Sequence, residues 1–285
     1  MSKQLAQSRY NKEYYVQPKL VGREWPSARA LSDEVHFVHA ARKLDSPPLT
    51  QSRRILDNEA DASNAFVSNV LNPALAVLQH FLAEHLRQHF EIVLLSEVVA
   101  EDVVLEAGST SRSCLRLDHV FALVSTQKNA KNERLLKPQK ALVIIEMKCY
   151  NLVRREDWPQ DLKAQPRALS EQNDRRAYRL LPQLLLYARK WQCSRIYLSD
   201  YAGSLALDID FTKIGSGRAV PIAFKFCIEA SRKRDSLYES GVRAAITFDA
   251  VEALRALGVA NRKILGGSHP ELDADLAAHL ATLRR

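Results

Sequence analysis

Paired thiols, glycine-rich loops and long apolar runs are all missing from this chain, and each absence removes a class of function. The four cysteines, Cys114, Cys149, Cys193 and Cys227, are scattered through 285 residues and form no CxxC pair. Zinc ribbons and dithiol redox centres therefore have no support, and free thiols in a reducing compartment are the better reading. No apolar run approaches the roughly 20 residues of a membrane-spanning helix, so no membrane is expected as a partner. The opening MSKQLAQSRYNKEYYVQPK lacks the apolar stretch of a signal peptide, and the expectation is an intracellular protein, cytoplasmic or nuclear.

Familiar catalytic signatures are missing too. Gly215-Ser216-Gly217-Arg218 and Gly266-Gly267 are not followed by the Lys-Ser/Thr of a phosphate loop. No Gly-x-Ser-x-Gly elbow surrounds Ser199 or Ser204. His85 and His89 stand four apart, as in zinc-protease helices, but Leu86 occupies the place of the catalytic Glu.

What the chain does have is charge with a bias. A net charge of +8, with pI near 9.3, favours an anionic partner, because basic surface attracts phosphates and displaces their counterions. Between Arg154 and Arg195 ten Lys/Arg face five Asp/Glu, so five of the eight net charges sit in this short stretch. A hydrophobic fraction of 46% and a mean hydropathy of -0.25 describe a globular chain long enough for a sizeable core.

Three regions follow from the pattern. Residues 1–50 are a polar, basic N-terminal extension with a helical stretch near Ala30–Leu44 and a breaker at Pro47-Pro48. Residues 51–235 hold the core, and 236–285 a helical C-terminal extension packed on it. In the core, LDNEADASNAFVSNVL predicts a helix capped by Asp57 or Asn58, interrupted at Asn72-Pro73. PALAVLQHFLAEHLRQHF predicts a second helix, and EIVLLSEVV, CLRLDHVFALV and KALVIIEMKCY predict strands. SEQNDRRAYRLLPQLLLYARKW predicts a helix kinked or divided at Pro182. RIYLSDY and SLALDID form a hairpin around Ala202-Gly203, followed by the strand PIAFKFCIEA. This order predicts an α/β fold with a central mixed β-sheet flanked by helices.

Chemistry concentrates on two of these strands. Alternation puts Leu142, Ile144, Glu146 and Lys148 on one face, so a carboxylate and an ammonium emerge together at the end of an apolar strand. Alone, that is an ordinary strand-end ion pair. In the preceding strand, Asp118 interrupts an apolar run and shares its face with Val120, Ala122 and Val124. An antiparallel turn through Ser125–Gln139 would bring Asp118 to Glu146. Two converging carboxylates repel unless a divalent cation lies between them, and Mg²⁺ or Mn²⁺ takes such hard oxygen ligands. Lys148 would orient water or neutralise a phosphate.

Asp118 followed by Glu146-Met147-Lys148 resembles the signature of the PD-(D/E)XK nuclease superfamily, with Leu117 in place of the proline. Gln183-Leu184-Leu185-Leu186-Tyr187, 35 positions beyond Lys148, resembles the Gln-x-x-x-Tyr motif of its RecB-like branch. Gln183 and Tyr187 are also helix neighbours, in a stripe with Leu180, Leu184 and Trp191. The resemblance spans residues 57–201 and implies a restriction-endonuclease-like core. It implies hydrolysis of nucleic acid, DNA rather than RNA, with Mg²⁺ or Mn²⁺ on Asp118, Glu146 and the carbonyl of Met147. It further suggests Glu59, in the first core helix, as an added acid, although a first-turn Glu also suits the helix dipole without catalytic purpose. Arg154, Arg155, Lys163, Arg167, Arg175, Arg176 and Arg179 would contact phosphates, and Trp158, Tyr178 or Trp191 could stack on bases, although Trp191 suits the core better and the arginines in part form a solvated helix face. The rival reading is a catalytically silent module of the same fold that binds nucleic acid or a protein.

Overall fold

The computed structural model describes residues 20–22, 58–100, 115–126, 138–149, 153, 180–214, 220–229 and 235–260. Along the chain come β1 (Leu20–Gly22), α1 (Glu59–Phe66), a π-helical turn (Val67–Leu71) and α2 (Asn72–Phe81). Strands β2 (Phe90–Ala100), β3 (Leu115–Ser125) and β4 (Pro138–Met147) follow, then helix α3 (Leu181–Lys190). Strands β5 (Arg195–Ser199), β6 (Gly203–Ile209) and β7 (Val220–Glu229) lead into helix α4 (Asp235–Ala256).

The strands form one mixed sheet in the order β1-β7-β6-β5-β4-β3-β2. Strands β2, β3 and β4 are a consecutive antiparallel meander, β4 and β5 run parallel, and β5, β6 and β7 are again antiparallel. The parallel step needs a crossover, and α3 lies in that connection. Three residues of the N-terminal region, Leu20–Gly22, add a parallel edge strand beside β7; the helical stretch expected at 30–44 lies outside the described residues.

Helices cover both faces, which is why β4 reads as an unbroken apolar run rather than an alternating one. One face packs α1, α2 and α4 through Phe66, Leu78, Phe81, Val242, Ile246 and Leu254 against Phe121, Val143, Ile145 and Tyr197. The other packs α3 through Leu184, Tyr187 and Ala188 against Val120, Ala122, Ile144, Ile196 and Leu198. Burying each such large side chain contributes about 1.5–3 kcal/mol, so the sheet is held from both sides.

Local chemistry explains the element ends. Asn58 caps α1, its side chain accepting from the Asp61 amide at 2.9 Å. The expected break at Asn72-Pro73 is not a break. A π turn widens the helix there, with the Asn72 amide bonding to the Val67 carbonyl, and Pro73 then sits in the first turn of α2, where a missing N–H costs nothing. Pro182 occupies the first turn of α3 in the same way, starting the described helix. The second predicted helix stops at Phe81, and His85 and His89 lie in a 3-10 turn and the turn after it.

One strand-face expectation is corrected. Phe121 pairs with Val143 and Ala122 with Ala141, so Leu142 is the extra residue of a β-bulge. Leu142 therefore packs with Val143 and Ile145 on the α1/α4 face, whereas Ile144 and Glu146 face α3.

Candidate active site

Beyond the last β3–β4 pair, His119 with Ile145, one more step of that register sets Asp118 opposite Glu146. Here the ladder stops being purely backbone: the Met147 amide donates to Asp118 Oδ2 at 2.7 Å. A side chain thus takes the place of a strand carbonyl and pins the Asp118 carboxyl against the end of β4. Asp118 shares the face of Val120, Ala122 and Val124, all buried under α3, while it is itself partly exposed.

Glu146 is the buried member, only 2% exposed. Its Oε1 accepts from Lys148 Nζ at 2.5 Å and from Gln183 Nε2 at 2.8 Å. Its Oε2 is buried and has no hydrogen-bond partner. Burial raises the Glu146 pKa to about 7, Lys148 pulls it back through charge and hydrogen bonding, and the neighbouring Asp118 carboxyl raises it again. A carboxylate with one lone oxygen beside a second acid, at this pKa, is an electrostatic conflict that a proton or a cation relieves.

Helix α3 supplies the support. Gln183 and Tyr187, one turn apart, are hydrogen-bonded to each other, and the Tyr187 hydroxyl donates to the Arg116 carbonyl at 2.6 Å. Tyr187 is 1% exposed. The chain Glu146–Gln183–Tyr187–Arg116 therefore ties β4 to the start of β3 through one helix, and the half-buried Gln183 amide finds its partners. Trp191 is half-buried and packs on the same apolar cluster.

The remaining acid stands apart. Glu59 Oε2 accepts from Cys149 Sγ at 3.6 Å, beside the end of β4. Among the described residues no group of three or more His, Cys, Asp or Glu side chains is close enough to hold a metal. The donor set assembled around Glu146 is thus two carboxylates. His119, next to Asp118, points the other way, bridging Ser63 Oγ at 2.7 Å and Ser96 Oγ at 2.9 Å, and burial holds its pKa down. The basic residues Arg154, Arg155, Lys163, Arg167, Arg175, Arg176 and Arg179, with Trp158 and Tyr178, lie outside the described residues.

Two features escaped the sequence reading. Asp200, fully buried, accepts from the amides of Val153 (2.6 Å), Ala202 and Gly203 (both 2.8 Å). It closes the β5–β6 turn and anchors the chain five residues after Lys148. A Cβ at Gly203 would come within 2.6 Å of the Val153 carbonyl oxygen, so only glycine admits that approach. The Ser-Asp-x-x-Gly run was the available signal, an Asx-turn pattern at the hairpin. Arg116, two positions before Asp118, carries no sequence signal for its part here, because what Tyr187 uses is its main-chain carbonyl.

No protein-family model, curated protein or solved structure matches this chain. Among the described residues no helix is long and apolar enough to cross a membrane.

Proposed function

We propose that this protein is a metal-dependent nuclease that hydrolyses phosphodiester bonds of nucleic acid, DNA rather than RNA, with a restriction-endonuclease-like core of the RecB-like branch. The observation that carries this reading is the convergence on Glu146 of Asp118 from β3, Lys148 just past the end of β4 and Gln183 from α3. The motif order also agrees with the resemblance: Asp118 lies on one strand, Glu146-Met147-Lys148 ends its antiparallel neighbour, and Gln183-x-x-x-Tyr187 lies on the following helix.

The residues present fit a hard divalent cation. Both carboxylates offer oxygen donors, and the buried, unpartnered Oε2 of Glu146 is a position that no protein donor satisfies. Asp118 and Glu146 would hold Mg²⁺ or Mn²⁺, with the Met147 carbonyl as the third protein ligand that the family resemblance implies. When bound, such an ion supplies charge stabilisation at the phosphoryl and leaving oxygens and a more acidic water.

The protein's own groups do the rest. In hydrolysis a water oxygen adds to phosphorus, the bond to one ester oxygen breaks, and that oxygen leaves with a proton. Lys148 is placed to orient the water or to offset negative charge on the phosphate. Gln183 holds Glu146 Oε1 in position, and Tyr187 holds Gln183 while pinning β3. Glu59 stands near the end of β4 as an auxiliary acid.

Purified protein is expected to cleave DNA in Mg²⁺ or Mn²⁺ and not in EDTA. Lys148→Ala is expected to lower the rate at least about hundredfold, the usual size of a positioned proton-transfer or charge-stabilising group, with the circular dichroism spectrum unchanged. Absence of metal-dependent cleavage of single- and double-stranded DNA and RNA would remove the nuclease proposal.

A further inference from the structure

A residue outside the motifs lies beside the same site, joined to it through Tyr187. Arg116 lies two positions before Asp118 on β3, the spacing at which strand side chains share a face, and the β2–β3 register is the same on both sides of Asp118 although the pair at Asp118 itself is skipped. Its side chain is 57% exposed and forms an ion pair with Glu97, which is 69% exposed. Its carbonyl is the acceptor for Tyr187, the last link of the chain that supports Glu146.

The partner is unusual. Glu97 has φ of 55°, in the left-handed region that a non-glycine residue rarely enters. The β2–β3 pairing runs through Ser96 with His119 and Val98 with Leu117, which sets Glu97 opposite Asp118. Backbone strain of this kind persists only where surroundings enforce it, and it clusters at functional positions. The register thus lines up three acids, Glu97, Asp118 and Glu146, across β2, β3 and β4, and the outermost is neutralised by Arg116.

We infer that Arg116 is a phosphate-contacting residue of the proposed nuclease site, and that Glu97 holds its guanidinium in place until nucleic acid displaces the carboxylate. The inference rests on the nuclease reading and extends it to the polymer backbone beside the reacting phosphate. Two residues along a strand span about 7 Å, at ~3.4 Å each, so a phosphate held at Asp118 and Lys148 leaves its neighbour within reach of Arg116. An exposed guanidinium suits this task, because its planar fork matches phosphate oxygens and it stays charged. Glu97 competes for the same fork, so it acts against binding while keeping an unpaired cation off the site.

The test is binding of a fluorescein-labelled single-stranded DNA 20-mer in Mg²⁺ by full-length protein carrying Glu146→Gln to stop turnover, titrated between 50 and 200 mM salt. Adding Arg116→Ala is expected to weaken binding about tenfold regardless of sequence, and to lower the salt slope by roughly one phosphate contact, about 0.7 for a single strand. Adding Glu97→Gln is expected to tighten binding two- to fivefold. If the pair is merely structural, Glu97→Gln still removes one negative charge and its tightening should persist in the Arg116→Ala background, whereas displacement from Arg116 predicts that most of it disappears there. Melting temperatures within a few degrees of the parent show that both variants fold, as expected for an exposed pair. Unchanged affinity in the Arg116 variant, or weaker binding in the Glu97 variant, overturns this inference while wild-type cleavage stands. No binding by the parent and no cleavage by the wild type overturn both readings together.

Discussion

Replacing Glu146 by glutamine isolates the electrostatic conflict at the centre of the site. In the folded protein the Glu146 pKa is raised from 4.5 to about 7, chiefly by burial. An unfolded chain releases this proton near pH 4.5, whereas the folded one keeps it until about 7. Stability from this group is therefore fully present below pH 4.5 and is lost as pH rises through 7. At about 1.4 kcal/mol per pH unit the loss amounts to roughly 3 kcal/mol at pH 8. Glutamine resembles the protonated acid and carries no charge to bury, so Glu146→Gln escapes that loss. The assay is thermal unfolding of both proteins in EDTA at pH 4.5, 6, 7 and 8. The two should melt together at pH 4.5 and diverge above it, the variant higher by several degrees at pH 8, at about 2–4 °C per kcal/mol for a chain of this size. The attraction of Lys148 is already contained in the raised pKa, so it takes nothing further from the gain. Other titrating groups, including His119 with its lowered pKa and Asp249 with its raised one, affect both proteins alike and cancel in the difference. Adding Mg²⁺ or Mn²⁺ at pH 8 should raise the wild type and leave the variant nearly unmoved. A difference that stays constant with pH, or a variant less stable at pH 8 than at pH 4.5 relative to wild type, refutes the argument.

Two more outcomes follow. If Glu146 holds the proposed divalent cation, a proton competes with it, and cleavage at subsaturating Mg²⁺ should rise about tenfold per pH unit on the acid side and level near pH 7; a pH–rate profile flat from 5.5 to 8 contradicts this. Gly203→Ala should cost about 1–3 kcal/mol, because its Cβ meets the Val153 carbonyl oxygen at 2.6 Å; chemical denaturation measures the loss, and an unaltered midpoint contradicts the close approach.

Much of the molecule is legible along the chain for local reasons. The Asn58 cap, the strands β2 to β7, the β5–β6 hairpin and a helix through Gln183 and Tyr187 follow from periodicity, turn chemistry and capping, which act over a few residues. The alternation that put Asp118 with Val120, Ala122 and Val124 holds because β2 and β3 pair without a slip. The same logic failed for Leu142, since a bulge is decided by how two strands meet and not by either alone. The π turn at Val67–Leu71 was equally invisible: Pro73 signals a disturbance, but whether a helix stops or widens depends on what its two halves pack against.

The sequence by itself determined which residues can carry the chemistry: an acid breaking one apolar strand, acid-x-lysine ending the next, and a polar pair one turn apart on a helix. Tertiary structure alone decided their states. Only packing could bury Glu146 until its pKa reached about 7, leave its Oε2 without a donor and aim Gln183 at its Oε1. It also turned Glu59 toward Cys149, and set Glu97 opposite Asp118 with its carboxylate on Arg116. The physical reason is range. Periodicity and propensity act between near neighbours, whereas desolvation and Coulomb energy depend on everything that closes over a group, however distant along the chain.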